Sequence, residues 1–159
     1  MYTNKGGTFM LNINLRKFKE KDLKPIGICI EHKIIPVTCA ISVTPKNLME
    51  DYIKRDMNLE PALVIANGET DAMIGAIDSI LTDDILLTSY YVLPEYQNIG
   101  ACTKALEIFI EYIRKNNPDV RQIKLCINSL NHASQRVAYK SRFKIVNKNE
   151  FAEDWRYKL

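Results

Sequence analysis

The order of elements in this chain predicts an α/β (α+β) fold: a single domain with a mixed, mostly antiparallel sheet and about four flanking helices. Two observations carry the prediction. Three apolar runs, residues 62–66, 73–80 and 85–92, follow one another with only short turn signals between them, which describes an antiparallel meander. A long amphipathic segment from Ile99 to about Lys115 then precedes another alternating run, residues 122–128, so the chain crosses over a helix before it re-enters the sheet.

Each element has a local reason. Ile13, Leu15 and Phe18 flank charged positions in residues 12–18, the alternation of a half-buried strand. Asp22 precedes Leu23, Ile26, Ile28 and Ile30, a first helix that Pro25 is expected to interrupt early. Thr44 can cap a second helix with Pro45 at its first position, running through Leu48, Met49, Tyr52 and Ile53. The run 62–66 ends at the turn signal Asn67-Gly68, and Asp83-Asp84 turns the next strand into 85–92. Leu106, Phe109, Ile110 and Ile113 form one face of the third helix, which residues 116–119 stop. Residues 131–142 make a fourth helix, and 144–146 and 155–159 read as closing strands.

Composition narrows the function classes. At 159 residues the chain is long enough to bury a core without staples, with residues 1–9 read as a flexible N-terminus and 10–159 as the domain. No apolar run is long enough to span a bilayer, and the N-terminus lacks the apolar core of a secretory signal, so a cytoplasmic location with no membrane partner is expected. The net charge of +3 comes with interleaved acids, which argues against a nucleic-acid partner. Cys29, Cys39, Cys102 and Cys126 are scattered and only His32 and His132 could join them, so no metal is expected.

The most informative stretch is Leu87 to Cys102. It reads as a strand, a proline-punctuated turn, and a glycine at the mouth of a long helix. Free backbone N–H groups at a helix N-terminus, on the positive end of the macrodipole, favour an anion and above all a phosphate or pyrophosphate. The adjacent Tyr90 and Tyr91 must point to opposite faces of their strand, one toward core and one toward a pocket.

The pattern Val92-x-Pro94-x-Tyr96-Gln97-x-x-Gly100 resembles the acetyl-CoA-binding motif of the GNAT N-acetyltransferases. So does Asn131-x-x-Ser134-x-Arg136-Val137, continuing to Lys140-x-x-Phe143. The resemblance covers residues 85–146 and is closest to the branch acting on ribosomal-protein N-termini and related small amines. It implies a GNAT-like sheet whose central strand is splayed, with acetyl-CoA as co-substrate. The edge from Tyr90 through Tyr91, Val92 and Leu93 would pair with the amides of the pantetheine arm as an added strand does. Pro94 would end strand pairing where the ligand enters. Gln97 and Asn98 complete the turn, and Gly100 lets backbone approach the pyrophosphate. The N–H groups of Ile99, Gly100, Ala101, Cys102, Thr103 and Lys104 would cradle that pyrophosphate, with the Thr103 hydroxyl a further donor. Asn131 and Ser134 would meet the pantetheine arm from the next helix; Asn131 equally suits the cap of that helix.

Three departures from the family pattern bear on catalysis and shape. Cys102 stands where a smaller residue is usual. Arg142 replaces the glycine that normally precedes the aromatic of the second motif, and a positive φ there would strain it by about 1 kcal/mol or more. The positions where relatives often place a carboxylate base fall at Leu87 and Cys126, and the tyrosine that protonates the leaving thiolate falls at Ala138. Tyr139, one residue on, is the candidate general acid; the general base stays open, with Glu31, Asp78 and Glu95 unplaced.

The resemblance therefore implies an acetyl-CoA-dependent N-acetyltransferase in which an amine attacks the thioester directly. The acceptor it implies is a small-molecule or peptide amine: a protein N-terminus, an amino acid, a polyamine or an antibiotic amine. The alternative is an acyl-CoA-binding regulatory module of the same fold. Trp155 and Tyr157 offer either a contact surface for a homodimer or part of the core.

Overall fold

The computed structural model describes residues 11–34, 44–57 and 60–159. The expected flexible stretch 1–9 and Cys39 lie outside the described residues. In chain order the elements are β1 (Ile13–Arg16), α1 (Leu23–Glu31), α2 (Pro45–Met57), β2 (Ala62–Asn67), β3 (Met73–Thr82), β4 (Ile85–Val92), α3 (Ala101–Asn116), β5 (Gln122–Asn128), α4 (His132–Lys140), β6 (Lys144–Lys148) and β7 (Ala152–Lys158).

Seven strands form one sheet in the order β1-β2-β3-β4-β5-β7-β6. Every neighbour is antiparallel except the pair β4–β5. That parallel join requires a crossover, and α3 supplies it.

The period-2 alternation of β2 divides the interior. Leu63 and Ile65 face a core built with Leu106, Phe109 and Ile113 of α3 and Ala138 of α4. Ala62, Val64 and Ala66 face the other side, against Ile26 and Cys29 of α1 and Tyr52 of α2. Along β3 this alternation is reset by a register shift opposite Ile65 and Ala66, so Ile74 and Ala76 join opposite cores.

Two local expectations are corrected. Pro25 does not interrupt α1, because it sits in the first turn where its missing N–H would have had no intrahelical partner. The third helix begins at Ala101 rather than Ile99, because Gly100 takes φ +86°, outside the helical region. Asp22, nearly fully buried, does not cap α1 with its side chain. It instead accepts both Arg16 terminal nitrogens at 2.8 and 2.9 Å, tying the end of β1 to the start of α1.

Trp155 is also settled as core. Its indole is buried and donates to Glu153 Oε2 at 3.1 Å, while Tyr157 packs against Phe143 and receives a hydrogen bond from Arg114. Tyr157 is half-buried at the edge of that core.

Candidate active site

The site begins where β4 and β5 part. They are paired only through Ile85–Gln122, Leu86–Ile123 and Leu87–Lys124. Beyond Leu87 the two strands diverge, and the β4 edge from Thr88 to Val92 has no β5 partner. The β3 side stays zipped: Tyr91 pairs with Ala76, Val92 with Gly75, and the Leu93 N–H donates to the Ile74 carbonyl at 2.8 Å.

Gly75 is what permits this close seam. A Cβ there would stand 2.1 Å from the Tyr91 carbonyl oxygen and 2.8 Å from the Val92 Cα. No side chain fits, so β3 can hold the end of β4 while its other edge opens.

A cleft of about 460 Å³ occupies the opening. One wall is the end of β4, with Tyr90, Tyr91 and Val92; a second is the turn and the start of α3, with Tyr96, Gln97, Asn98, Gly100, Ala101, Cys102 and Thr103. The third is one face of α4 with Asn131, Ala133, Ser134, Arg136, Val137 and Lys140, and Ile34 also lines the cleft.

The turn is shaped for approach by an anion. Asn98 and Gly100 both adopt positive φ, +61° and +86°. A Cβ on Gly100 would meet nothing within 4 Å, so its outer face is open space. Gly100 brings no capping side chain, and the first ladder bond of α3 is Lys104 N–H to Gly100 O at 3.0 Å. The N–H groups of Ala101, Cys102 and Thr103 precede that bond and point out of the helix end, beside Arg136 and Lys140 across the cleft.

On the α4 wall, Asn131 caps its helix by accepting the Ser134 N–H at 3.0 Å. The Ser134 carbonyl in turn accepts the Tyr90 hydroxyl at 3.1 Å, bracing β4 against α4 across the cleft. Burial pushes the Tyr90 phenol above its ordinary pKa and the Cys102 thiol up to about 12, so both are protonated near neutral pH.

The placement of the expected residues is uneven. Tyr91, Val92, Gln97, Asn98, Gly100, Ala101, Cys102, Thr103, Asn131 and Ser134 line the cleft. Leu93, Pro94, Ile99 and Lys104 do not. Leu93 is buried with the α1–α2 core, Pro94 and Ile99 lie on the exposed outside of the turn, and Lys104 pairs with Glu107 at 3.4 Å. Tyr139 is also outside: its ring is 76% exposed in a shallow groove with His132, Ile145 and Trp155. Helical geometry explains this, since Ala133, Arg136, Val137 and Lys140 share the face at i, i+3, i+4 and i+7, and position 139 points elsewhere. That same spacing was the signal in the sequence for Arg136 and Lys140.

Arg142 has φ +65°. The Phe143 N–H bonds to Ala138 O and the Arg142 N–H to Tyr139 O, both at 3.0 Å, a Schellman ending with Arg142 at the position glycine usually takes. The turn keeps its shape and Arg142 carries the strain.

No described helix is long and apolar enough to cross a membrane, and among the described residues no cluster of three or more His, Cys, Asp or Glu side chains could hold a metal.

Comparison with known proteins agrees with this geometry. The model of the acetyltransferase (GNAT) domain matches residues 12–144. A comparison with curated protein sequences finds no match. Among solved structures the chain is similar to yncA of Salmonella typhimurium with its cofactor acetyl-CoA, at 19% identity and TM-score 0.73, covering 92% of this chain and 94% of that one. It is similar to the ribosomal-protein-S5-alanine acetyltransferase of Vibrio fischeri at 16% identity and TM-score 0.74, over 92% and 93%. It is similar also to a spermidine N-acetyltransferase of Vibrio cholerae at 15% identity and TM-score 0.71, over 92% and 94%. At these identities the structures speak for the fold, a mixed sheet opened between β4 and β5; with a family model spanning most of the sequence, the chain belongs to the GNAT acetyltransferases.

Proposed function

We propose that the protein is an acetyl-CoA-dependent N-acetyltransferase acting on a primary amine. The observation that carries this reading is the conjunction at the cleft: a strand edge freed from its neighbour meets an uncapped helix N-terminus. The residues fit such a ligand on three counts. The Thr88–Val92 edge offers backbone groups to the pantetheine amides. The N–H groups of Ala101, Cys102 and Thr103, with open space over Gly100, suit the pyrophosphate. Arg136 and Lys140, four residues apart on α4, add positive charge at the same cleft.

Acetyl-CoA supplies a thioester to which an amine adds, forming a C–N bond as the C–S bond breaks. The chain's part is to hold the two reactants in line, to offer a β4 backbone N–H near Val92 to the developing oxyanion, and to brace the cleft through Tyr90 and Ser134. Asn131 orders α4 through its cap and stands at the cleft besides. Tyr139 receives no role in this scheme. The solved structures named for acetylation of spermidine and of a ribosomal-protein alanine support an amine as the acceptor class.

Thermal unfolding across a concentration series of acetyl-CoA, with adenosine as control, tests the reading. The expected result is dose-dependent stabilisation by acetyl-CoA alone, about 2.7 kcal/mol at a hundredfold excess over Kd. No shift at millimolar acetyl-CoA overturns it. Amine-dependent release of CoA then separates an enzyme from a binding module.

A further inference from the structure

The far edge of the sheet carries features that the cleft does not use. β6 ends the order β4-β5-β7-β6, and no described strand lies beyond it. All five of its residues are exposed, the apolar Ile145 and Val146 among them. A strand so placed presents a row of backbone N–H and C=O groups with no strand beside them. Antiparallel pairing with a second copy of β6 would set Lys144 against Lys148, so the strand's own charges oppose self-pairing.

The two faces of this edge differ, and the register shows how. Ile145 stands opposite Trp155 on the α4 side, where a shallow groove of about 570 Å³ runs between α4 and the β6–β7 pair. Trp155, Ile145 and Tyr139 give it an apolar lining. Its one carboxylate, Glu153, is buried and is held by Lys148 and the Trp155 indole. Arg136 and Lys140 also line it, and neither has a carboxylate partner among the described residues. On the opposite face Lys124, Arg156 and Lys144 stand in register across β5, β7 and β6. Asp154 is engaged there by Lys124 at 3.1 Å, Arg156 donates to Gln122 Oε1 at 3.1 Å, and Lys144 has no ion-pair partner among the described residues.

We infer that β6 takes an extended segment of a partner polypeptide as an eighth strand, one in which acidic and apolar side chains alternate. Successive side chains of a strand turn to opposite faces. The apolar set then lies in the groove over Trp155, between Tyr139 and Ile145, and the carboxylates lie over Lys144 and Arg156. Main-chain hydrogen bonds along the β6 edge supply affinity, and the two unlike faces supply specificity. Charge decides the class of partner: cations outnumber free carboxylates on both faces, which attracts an acidic strand and repels a basic one. β7 separates this edge from β5, so the segment docks outside the cleft.

The test is fluorescence anisotropy of the full chain with a labelled, end-capped peptide that alternates glutamate and valine over about eight residues. One control peptide carries lysine for every glutamate, and a second carries serine for every valine. The glutamate–valine peptide is expected to bind about tenfold or more tighter than either control, and to weaken as salt is raised. Lys144→Glu and Tyr139→Ser alter exposed side chains on the two faces. Each is expected to melt near the wild-type temperature and to weaken the peptide about tenfold. No anisotropy change at millimolar protein overturns the proposal. Equal affinity for the lysine control overturns the acidic partner, and unchanged affinity in either variant overturns the β6 site. Wild-type protein that sediments as a dimer, and as a monomer once Ile145→Lys is introduced, gives the edge to a second copy and overturns the proposal too.

Discussion

Gly75→Ala is the substitution through which the fold and the site are most tightly coupled. Its added methyl would stand 2.1 Å from the Tyr91 carbonyl oxygen and 2.8 Å from the Val92 Cα. Both are backbone atoms that cannot swing away, and the shorter contact is about 1 Å or more inside ordinary van der Waals range. The strands must separate there. Separation strains the seam by about 1–3 kcal/mol, as overpacking does. It also loosens the Leu93 N–H to Ile74 O bond of 2.8 Å and its ladder neighbours, at about 0.5–1.5 kcal/mol each. The sum is about 2–5 kcal/mol, or a fall in Tm of roughly 5–15 °C for a chain of this size.

The displaced strand end also carries the free edge proposed to receive the pantetheine arm, so the variant is expected to lose affinity as well as stability. Differential scanning fluorimetry at matched concentrations of acetyl-CoA separates the two effects, because ligand stabilisation is read as the shift above each protein's own Tm. A variant melting within about 2 °C of wild type, with an unchanged dose response, would refute the claim that this close approach sets the end of β4.

Other predictions follow from single features. Arg142→Gly relieves a left-handed residue in a Schellman ending and is expected to raise stability by about 1 kcal/mol in denaturant unfolding. Lys19, Lys21 and Arg16 hold the Asp71 carboxyl below the usual carboxylate range. A depressed carboxylate contributes stability above its unfolded pKa and loses it as the pH falls, so Tm should drop below about pH 4 and drop less in Asp71→Asn. Burial pushes the Cys29 thiol up to about 11 and that of Cys102 up to about 12, whereas Cys126 is exposed. Alkylation at about pH 8 followed by peptide mapping should therefore modify Cys126 well before Cys29 or Cys102.

Features encoded within a few residues were legible in the sequence. The apolar run through Leu63, Val64 and Ile65, the face of Leu106, Phe109 and Ile113, the Thr44 cap and the Asn131 cap all depend on local composition, local period or one short hydrogen bond. Thr44 accepts the Asn47 N–H at 3.2 Å as its position before Pro45 predicts. Features that depend on a distant segment were not legible. Nothing near Gly75 in sequence announces that Tyr91 O will lie against it, and the Asp78–Arg55 pair exists only once α2 has docked on β3. Tyr139 is the instructive case. Its type suits a general acid, but its angular position on α4 leaves it outside the cleft that Arg136 and Lys140 line.

Tyr90 and Tyr91 show how one strand end can serve two faces of a sheet. In a closed sheet, consecutive side chains would be consumed by two separate cores and neither would meet a ligand. Here β5 withdraws after Leu87, so the strand end lines the cleft while the two side chains turn to opposite faces. Tyr90 uses its hydroxyl internally, on Ser134 O, and becomes a brace. Tyr91 turns instead into the core between β4 and the α1–α2 pair, among Phe18, Cys29 and Tyr52. The asymmetry between two adjacent and chemically identical side chains is therefore set by what lies beyond them, a helix carbonyl on one face and a packed core on the other. It follows that Tyr90→Phe should lose the brace to Ser134 O and about 0.5–1.5 kcal/mol of stability in denaturant unfolding, and an unchanged midpoint would show that the hydroxyl does not hold β4 to α4.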